Sequence, residues 1–162
     1  MPCDAPLPIR DLGTHIDGFI ATGAHTFVAT ANRTEIVTGK KADVICAAHF
    51  AAECALRLFR PGKTVGAGLT KTKINLCPFL QNQEVTEAIK KVAETFKCNP
   101  VEGVLSHQMK RFVIDGTNVI INKETPDQQV DEVSFEEYDV YCFDIMVSTG
   151  EGKVSFADIP AS

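Results

Sequence analysis

The sequence predicts an α+β domain in which two helices pack on one face of a curved, largely antiparallel sheet. Helical periodicity occurs in two stretches in the middle of the chain, and β-type stretches flank them on both sides. The resulting order is β-β-α-α-β-β, which is typical of α+β domains. A length of 162 residues fits one such domain.

The first two elements are predicted to form a β-hairpin over residues 9–31. Asp17-Gly18 is a two-residue turn signal, and Phe19-Ile20 after it favour a strand. A further short strand is predicted over residues 34–38, before Gly39.

Two helices follow. Residues 40–60 carry an apolar stripe that Pro61-Gly62 ends, and residues 83–96 carry a second stripe, with Asn82 as the predicted N-cap. The first stripe consists of Val44, Ala48, Ala51, Ala55 and Phe59. The second consists of Val85, Ile89, Val92 and Phe96.

The last part of the chain returns to β structure. A short strand is predicted over residues 119–121, and residues 127–139 are polar and acidic, which indicates an exposed connection. Residues 140–147 are predicted to be the strongest buried strand, apolar on both faces except at Asp144.

Composition limits the classes of function. With 16 basic and 21 acidic residues, the net charge is −5. An acidic domain repels phosphate backbones unless its basic residues gather on one face, and the basic pairs here, such as Lys40-Lys41 and Lys110-Arg111, are short. Composition therefore gives no positive support for binding of RNA or DNA.

The sequence also limits the cellular compartment in which the protein is expected. No apolar run approaches the ~20 residues that span a bilayer, and residues 1–10 contain three prolines and no apolar signal-peptide region. The six cysteines form no Cys-x-x-Cys pair, which favours buried free thiols over zinc binding or disulfides. We expect an intracellular protein without membrane insertion.

Two nucleotide-type motifs are weak. Gly62-Lys63-Thr64 resembles the end of a P-loop, but Arg57 stands where the first glycine belongs and a helix precedes it instead of a strand. Gly66-Ala67-Gly68 lacks the third glycine of a dinucleotide motif.

Asp144 is more informative. An ionised carboxylate in a hydrophobic strand costs several kcal/mol unless it is paired or bound to a cation. Asp11 and His107 also lie in β-type regions. Two carboxylates and an imidazole that project from separate strands into one cleft are typical of a divalent-metal site. On these residues alone, buried hydrogen-bonded side chains without a metal are the favoured interpretation, and metal ligands are the alternative.

Two motifs carry a family resemblance: DLGTHIDGFI at 11–20 resembles the first metal-binding strand pair of the methionine aminopeptidases, and FDIMVSTGEG at 143–152 resembles the strand with a later ligand. Further motifs are similar to the non-peptidase branch of that family, the proliferation-associated proteins that bind ErbB-family receptors. They are AHTFV at 24–28, GKKADVI at 39–45, VTEA at 85–88, LSHQ at 105–108 and VIDG at 113–116.

The resemblance implies a partial pita-bread (creatinase/aminopeptidase) fold over residues 11–153, with residues 63–80 as an insertion loop. Residues 1–10 and 154–162 resemble no part of the family. We therefore expect a fragment of a longer protein, either a truncated or mis-assembled reading of a longer gene or a true short isoform. As it stands, the fragment is expected to leave a sheet edge and apolar surface uncovered.

The family's ligand set implies a vestigial metal site. Active members hold two ions through two aspartates, a histidine and two glutamates. Asp11 and His107 match, Thr22 replaces the second, bridging aspartate, and Asp144 replaces the first glutamate with a chain one methylene shorter. Asp115 stands at the position of a substrate-contacting histidine. The second glutamate is expected beyond residue 162, so no bound metal, cofactor or catalysis is expected.

By resemblance, the function is that of a non-catalytic interaction protein. The implied partners are the ribosome and ribosomal RNA, other RNA, the tail of an ErbB-family receptor, and nuclear regulators. The implied roles are control of growth and translation and transcriptional co-repression, in the cytoplasm and in the nucleus and nucleolus. The alternatives are a degenerate methionine aminopeptidase that retains some metal binding, and a fragment without independent function.

Overall fold

A computed structural model describes residues 7–30, 32, 34–59 and 81–153 of the chain. In chain order, the elements are β1 (Ile9–Ile16), β2 (Phe19–Thr26), α1 (Lys40–Leu58), α2 (Asn82–Thr95), β3 (Asn99–Pro100), β4 (Leu105–Met109), β5 (Val119–Ile121), β6 (Val140–Cys142) and β7 (Val147–Ser148). Several predictions fall outside the described residues. They are the helix stop at Pro61-Gly62, the two glycine motifs and the insertion at 63–80. Residues 1–6 and 154–162 are also outside them.

The predicted hairpin forms. β1 and β2 pair antiparallel from Ile9 opposite Thr26 to Ile16 opposite Phe19. Asp17 and Gly18 have φ angles of 55° and 83°, so the two-residue turn takes the left-handed conformation that tight hairpins require.

The strand predicted over residues 34–38 is wrong, because those residues form no strand. The Asn32 side chain accepts hydrogen bonds from the Thr34 backbone at 3.1 Å and from the Thr34 hydroxyl at 2.8 Å. Local bonds of this kind offer the backbone an alternative to strand pairing.

Both helices form, with one correction to each. The buried stripe of α1 contains Ala47, Ala51 and Ala55, whereas the predicted member Ala48 is half-buried. The predicted N-cap Asn82 is wrong, since Asn82 is the first residue of α2 and is fully buried. Gln81 precedes it, and the Gln81 backbone N–H donates to Glu84 Oε2 at 3.3 Å.

The described strands form three small antiparallel sheets, where the sequence predicted a single one. β1 pairs with β2, β3 pairs with β7, and β4 lies between β5 and β6. α1 packs against α2 and β7, and α2 packs against β3 and β5. The arrangement is the predicted α+β class.

The continuous buried strand predicted over residues 140–147 is wrong. It is divided into β6 and β7, which belong to different sheets, and its residues are half-buried or exposed. Between them, the Asp144 N–H donates to the Ser106 hydroxyl oxygen at 3.0 Å, and that hydroxyl donates to the Asp144 carbonyl at 3.3 Å. A side chain thus takes the place of a backbone ladder partner at this point.

The main core lies between the helices and β5. Its buried members are Ala51, Ala55, Val85, Ile89, Ile120 and Phe135. Phe59 packs its ring 4.5 Å from Phe135 and 4.9 Å from Tyr141, measured between centroids. Phe135 is 4% exposed although it belongs to the predicted exposed connection, so the exposed prediction is wrong at that position.

The tip of the hairpin is held by the residues after β4. The Phe112 N–H donates to the Gly18 carbonyl at 2.9 Å, and Arg111 Nε donates to the Asp17 carbonyl at 2.8 Å. The Arg111 guanidinium also lies 5.1 Å from the centroid of the Phe19 ring. Since every residue of β1 is exposed, these tip contacts are an important part of what fixes the hairpin in place.

We expect Arg111→Ala to speed amide hydrogen exchange at the hairpin tip about fivefold, because it removes the exposed hydrogen bond to Asp17 and the contact with the Phe19 ring, together worth about 1 kcal/mol. The midpoint of global thermal unfolding should change little. The exposed neighbour Lys110, changed to alanine, serves as the control. Equal exchange rates in the two variants would show that Arg111 does not hold the tip.

Candidate functional site

A cavity of about 310 Å³ lies between the hairpin and the segment 141–144. Asp11 and Thr22 line it from the hairpin, Cys142 and Asp144 line it from the opposite side, and Leu56 contributes from α1. The cavity therefore brings together residues from three distant parts of the chain.

The register of the hairpin places Asp11 and Thr22 on one face. Asp11 is paired with Ala24, and Gly13 is paired with Thr22. Residues two apart on a strand share a face, so Asp11 and Thr22 are diagonal neighbours across the two strands. This face is the one that borders the cavity.

The opposite wall depends on the pairing of β4 with β6. His107 lies directly opposite Cys142 in that pairing. His107 Nε2 lies 3.4 Å from Asp144 Oδ2, and Cys142 Sγ lies 3.8 Å from Asp144 Oδ1. An imidazole nitrogen, a sulfur and a carboxylate, which are three kinds of potential metal-ligand group, thus lie close together.

The two walls touch where Thr22 Oγ1 lies 3.0 Å from Cys142 Sγ, at hydrogen-bonding distance. Burial raises the pKa of the Cys142 thiol above its usual value. The carboxylates of Asp144 and Asp11 raise that pKa further, and the bond to Thr22 opposes the shift. The thiol is therefore the favoured form of Cys142 at neutral pH.

The structure brings four of the five predicted site residues together. Asp11, Thr22 and Asp144 line the cavity, and His107 contacts Asp144. Asp115, predicted as a vestigial substrate position, is exposed and is not among the lining residues. Cys142 was missed by the sequence reasoning, although its spacing of two from Asp144 is a signal that the two side chains share a face.

The side chains at this cavity do not fit the two-ion centre that the family resemblance implies. The resemblance implies a bridging aspartate at the position of Thr22, and the neutral Thr22 hydroxyl lies at hydrogen-bonding distance from the Cys142 thiol. Within the described ranges, the one group of three potential ligands whose donor atoms lie close together is His107, Cys142 and Asp144. That set contains one carboxylate, whereas two hard ions require several oxygen ligands.

We expect Cys142 to be alkylated by iodoacetamide at least about tenfold more slowly than the exposed Cys46 at pH 7.5, because burial and a raised pKa both reduce accessible thiolate. The rate at Cys142 should still be rising at pH 9. Mass spectrometry of labelled peptides measures both sites in one sample, so Cys46 is an internal control. Comparable rates at neutral pH would contradict the burial of Cys142.

No family model matches the chain. It is 48% identical over 143 residues to "Proliferation-associated protein A" of Dictyostelium discoideum, covering 88% of this chain and 33% of that protein. It is 51% identical over 148 residues to "ERBB-3 BINDING PROTEIN 1" of Solanum tuberosum, covering 91% of this chain and 33% of that protein. This chain is a homologue of those proteins. It spans about a third of their length.

Solved structures identify the fold of this homologue of the proliferation-associated proteins. A thermophilic Arx1 superimposes with a TM-score of 0.71 at 27% identity, over 90% of this chain and 40% of the other. The methionine aminopeptidase of Rickettsia prowazekii superimposes with a TM-score of 0.67 at 14% identity, over 94% of this chain and 51% of the other. The predicted partial aminopeptidase-like fold and the predicted family resemblance are therefore confirmed.

Within the described residues, neither helix has the length and apolar character needed to cross a bilayer.

Proposed function

We propose that this chain is a non-catalytic interaction protein built on an aminopeptidase-like fold. The observation that carries the proposal is the contact between Thr22 and Cys142, where active aminopeptidases are expected to hold a bridging carboxylate. Homology to proteins named for proliferation and for binding of ErbB-3 supports the same conclusion.

Loss of the bridging carboxylate removes the first step of two-metal hydrolysis. Both ions are needed to activate water and to stabilise the developing oxyanion. Metal sites tolerate errors of only about 0.2 Å in ligand distance, and Asp144 is one methylene shorter than the glutamate implied at its position. We therefore expect no aminopeptidase turnover.

The partner that we favour is the cytoplasmic tail of an ErbB-family receptor. The outer face of the hairpin presents Leu12 and Ile16, which are 73% and 81% exposed, and Phe19 beside them at 67%. By strand alternation these side chains share the face opposite Asp11 and Thr22. Exposed large apolar side chains grouped on one face are typical of a protein-binding site.

Capture of a purified ErbB-3 tail by the full 162-residue chain tests this proposal. We expect Leu12→Lys to weaken capture at least about tenfold, since one buried anchor at an interface commonly contributes more than 1 kcal/mol. Gln83→Lys adds the same charge at an exposed position of α2 and should leave capture unchanged. Failure of the unmodified chain to bind would contradict the proposed partner, and equal binding by both variants would contradict the proposed face.

We also propose association with the ribosome, ribosomal RNA and other RNA, and with nuclear regulators of transcription, in the cytoplasm and the nucleus or nucleolus. The net charge of −5 gives this chain little general attraction to phosphate. Ribosome association is therefore expected to depend more on protein contacts than on phosphate contacts with ribosomal RNA. Co-sedimentation with ribosomes should then fall only slightly between 50 and 200 mM salt, whereas a steep fall would indicate phosphate contacts that the charge does not suggest.

The enzymatic alternative is favoured by one observation, since Asp11 and Asp144 line one cavity and His107 contacts Asp144. Incubation of the chain with a Met-Ala peptide and cobalt, manganese or zinc decides between a non-catalytic protein and a residual aminopeptidase. We expect hydrolysis no faster than with the ion alone. Turnover that is lost in His107→Ala would overturn the non-catalytic proposal.

The third reading, a fragment without independent function, depends on whether the chain folds alone. α1, α2 and β5 share one hydrophobic core. We therefore expect a cooperative thermal transition in the purified chain. A gradual, non-cooperative change in far-ultraviolet circular dichroism would instead favour that reading.

A further inference from the structure

We propose that Tyr138 is a site of phosphorylation by a protein-tyrosine kinase, and that Lys110 and Arg111 bind the phosphate group once it is attached. Tyr138 is 96% exposed, so its ring lies almost wholly in solvent. It borders a different cavity from the one that Asp11 and Thr22 line. The chain contains one other tyrosine, Tyr141, which provides a comparison within the same segment.

Packing does not explain a tyrosine at position 138. The Asp139 N–H donates to the Glu136 carbonyl at 3.4 Å, which closes a turn with Tyr138 at its third position. The φ angle of Tyr138 is 72°, in the left-handed region that favours glycine and asparagine. A ring that remains in solvent buries little apolar surface to offset this strain. What tyrosine provides at this turn is an accessible hydroxyl.

The charges around Tyr138 suit a kinase substrate. Glu136 and Glu137 precede it directly, and both are exposed. Protein kinases select substrates partly by such charge patterns, and two glutamates before the tyrosine complement a basic substrate groove. The bonds that close the turn are long, at 3.4 Å to the Glu136 carbonyl and 3.3 Å from the Glu136 N–H to Asp139 Oδ2. The segment can therefore open into the extended form that a kinase binds.

Tyr141 has the opposite environment. Its ring packs 4.9 Å from the Phe59 ring and 5.5 Å from the Phe135 ring, measured between centroids. Its hydroxyl is buried. A kinase can reach that hydroxyl only after β6 leaves the core, so the fold itself selects Tyr138 as the acceptor.

Two cations lie beside Tyr138. A cavity of about 350 Å³ separates the hairpin tip from the turn, and Tyr138, Lys110 and Arg111 all line it. The β4–β6 register pairs Met109 with Val140. The same register, continued by two residues, would set Arg111 opposite Tyr138. A phosphate group on the Tyr138 hydroxyl is therefore attached at the edge of a cavity that already contains two positive charges.

The Arg111 guanidinium is already held in place for binding an anion. It lies 5.1 Å from the centroid of the Phe19 ring and 5.2 Å from that of the Phe112 ring. Its pair with the Asp17 carboxylate is exposed and 3.8 Å long, so it competes weakly with a phosphate. A stacked guanidinium loses little conformational freedom when it forms two parallel hydrogen bonds to phosphate oxygens.

Phosphorylation changes the charge at this turn. The Tyr138 oxygen attacks the γ-phosphorus of ATP, an O–P bond forms, ADP leaves, and the hydroxyl proton passes to the catalytic base of the kinase. The product carries roughly −1.5 to −2 charges at neutral pH. Glu136 and Glu137 repel this group, whereas Lys110 and Arg111 attract it. The modified side chain thus links the turn to the hairpin tip that Arg111 holds.

Incubation of the full chain with ATP and the catalytic domain of a non-receptor tyrosine kinase tests the acceptor. Mass spectrometry of peptides measures both tyrosines in one sample. We expect Tyr138 to be phosphorylated at least about 20-fold faster than Tyr141, because Tyr141 requires local opening. Tyr138→Phe removes only an exposed hydroxyl and should abolish the fast reaction. No phosphate at Tyr138, or comparable rates at the two tyrosines, would overturn the proposal.

Hydrogen exchange of the phosphorylated chain tests the phosphate contacts. We expect exchange at the hairpin tip to slow about fivefold on phosphorylation, since charge-assisted bonds now hold it. Lys110→Ala should lose at least half of this slowing. Lys90→Ala, which removes an exposed lysine of α2, should retain it. Unchanged exchange on phosphorylation, or the same slowing in both variants, would show that Lys110 and Arg111 do not bind the phosphate.

Discussion

Replacing Asn82 with alanine is expected to lower the free energy of unfolding by about 3 kcal/mol, because several buried backbone groups lose their partners. Asn82 is 0% exposed. Its Nδ2 donates to the carbonyls of Val119 and Asp131 at 2.9 and 2.8 Å. Its Oδ1 accepts from the backbone N–H of Val133 at 3.2 Å. One side chain therefore joins the start of α2 to β5 and to the connection before β6.

Urea denaturation followed by circular dichroism measures this loss, with Gln83→Ala as the control. Gln83 is adjacent but exposed, so its replacement should cost less than about 0.5 kcal/mol. An ordinary N-cap loss costs about 1 kcal/mol. A loss of that size at Asn82 would support the capping role predicted from the sequence and contradict the buried network.

Gly152→Ala is expected to cost about 3 kcal/mol, for two reasons that act together. Gly152 has a φ of 75°, which L-residues with a side chain adopt only with strain. An added Cβ would also clash with the backbone carbonyl of Pro100, and a backbone atom cannot move aside cheaply. The Gly152 carbonyl accepts a hydrogen bond from the Glu102 N–H at 2.8 Å, so relief by local movement would break that bond.

Gly103→Ala separates the two causes. Gly103 has a φ of 77°, but an added Cβ there would meet nothing within 4 Å. It should therefore show the strain alone, about 1 kcal/mol. Thermal unfolding of both variants gives the comparison. Equal losses at the two positions would show that the approach to Pro100 is not what requires glycine in the GEG part of the family motif.

Local patterns were sufficient to predict much of the fold. The Asp17-Gly18 turn and the apolar stripes of the two helices each depend on neighbouring residues. The helices formed within two residues of their predicted bounds, and the hairpin ended at Thr26 instead of residue 31. The predictions failed where distant contacts decide. Asn82 looked like a cap because its three long-range partners cannot be seen in the sequence, and residues 140–147 looked like one strand because the Ser106 hydroxyl that interrupts it lies in β4.

The candidate site, too, was predicted only in part from the sequence. The family motifs located Asp11, Thr22, His107 and Asp144, and the structure places them around one cavity or in contact with its lining. Cys142 became evident only through the β4–β6 register, which pairs it with His107. Register depends on which side chains pack in the core, here on the aromatic contacts of Tyr141 and Phe143, and β4 and β6 are not joined by a tight turn that would fix it.

The division of one segment between two sheets has a consequence for the order of folding. β4 needs β6 to complete its sheet, and β3 needs β7, yet both strands arrive within residues 140–148. During synthesis from the N-terminus, the hairpin and both helices can form first, since their contacts are local. β4 keeps an unpaired edge until this segment emerges, and an unpaired strand edge is prone to pair with another chain.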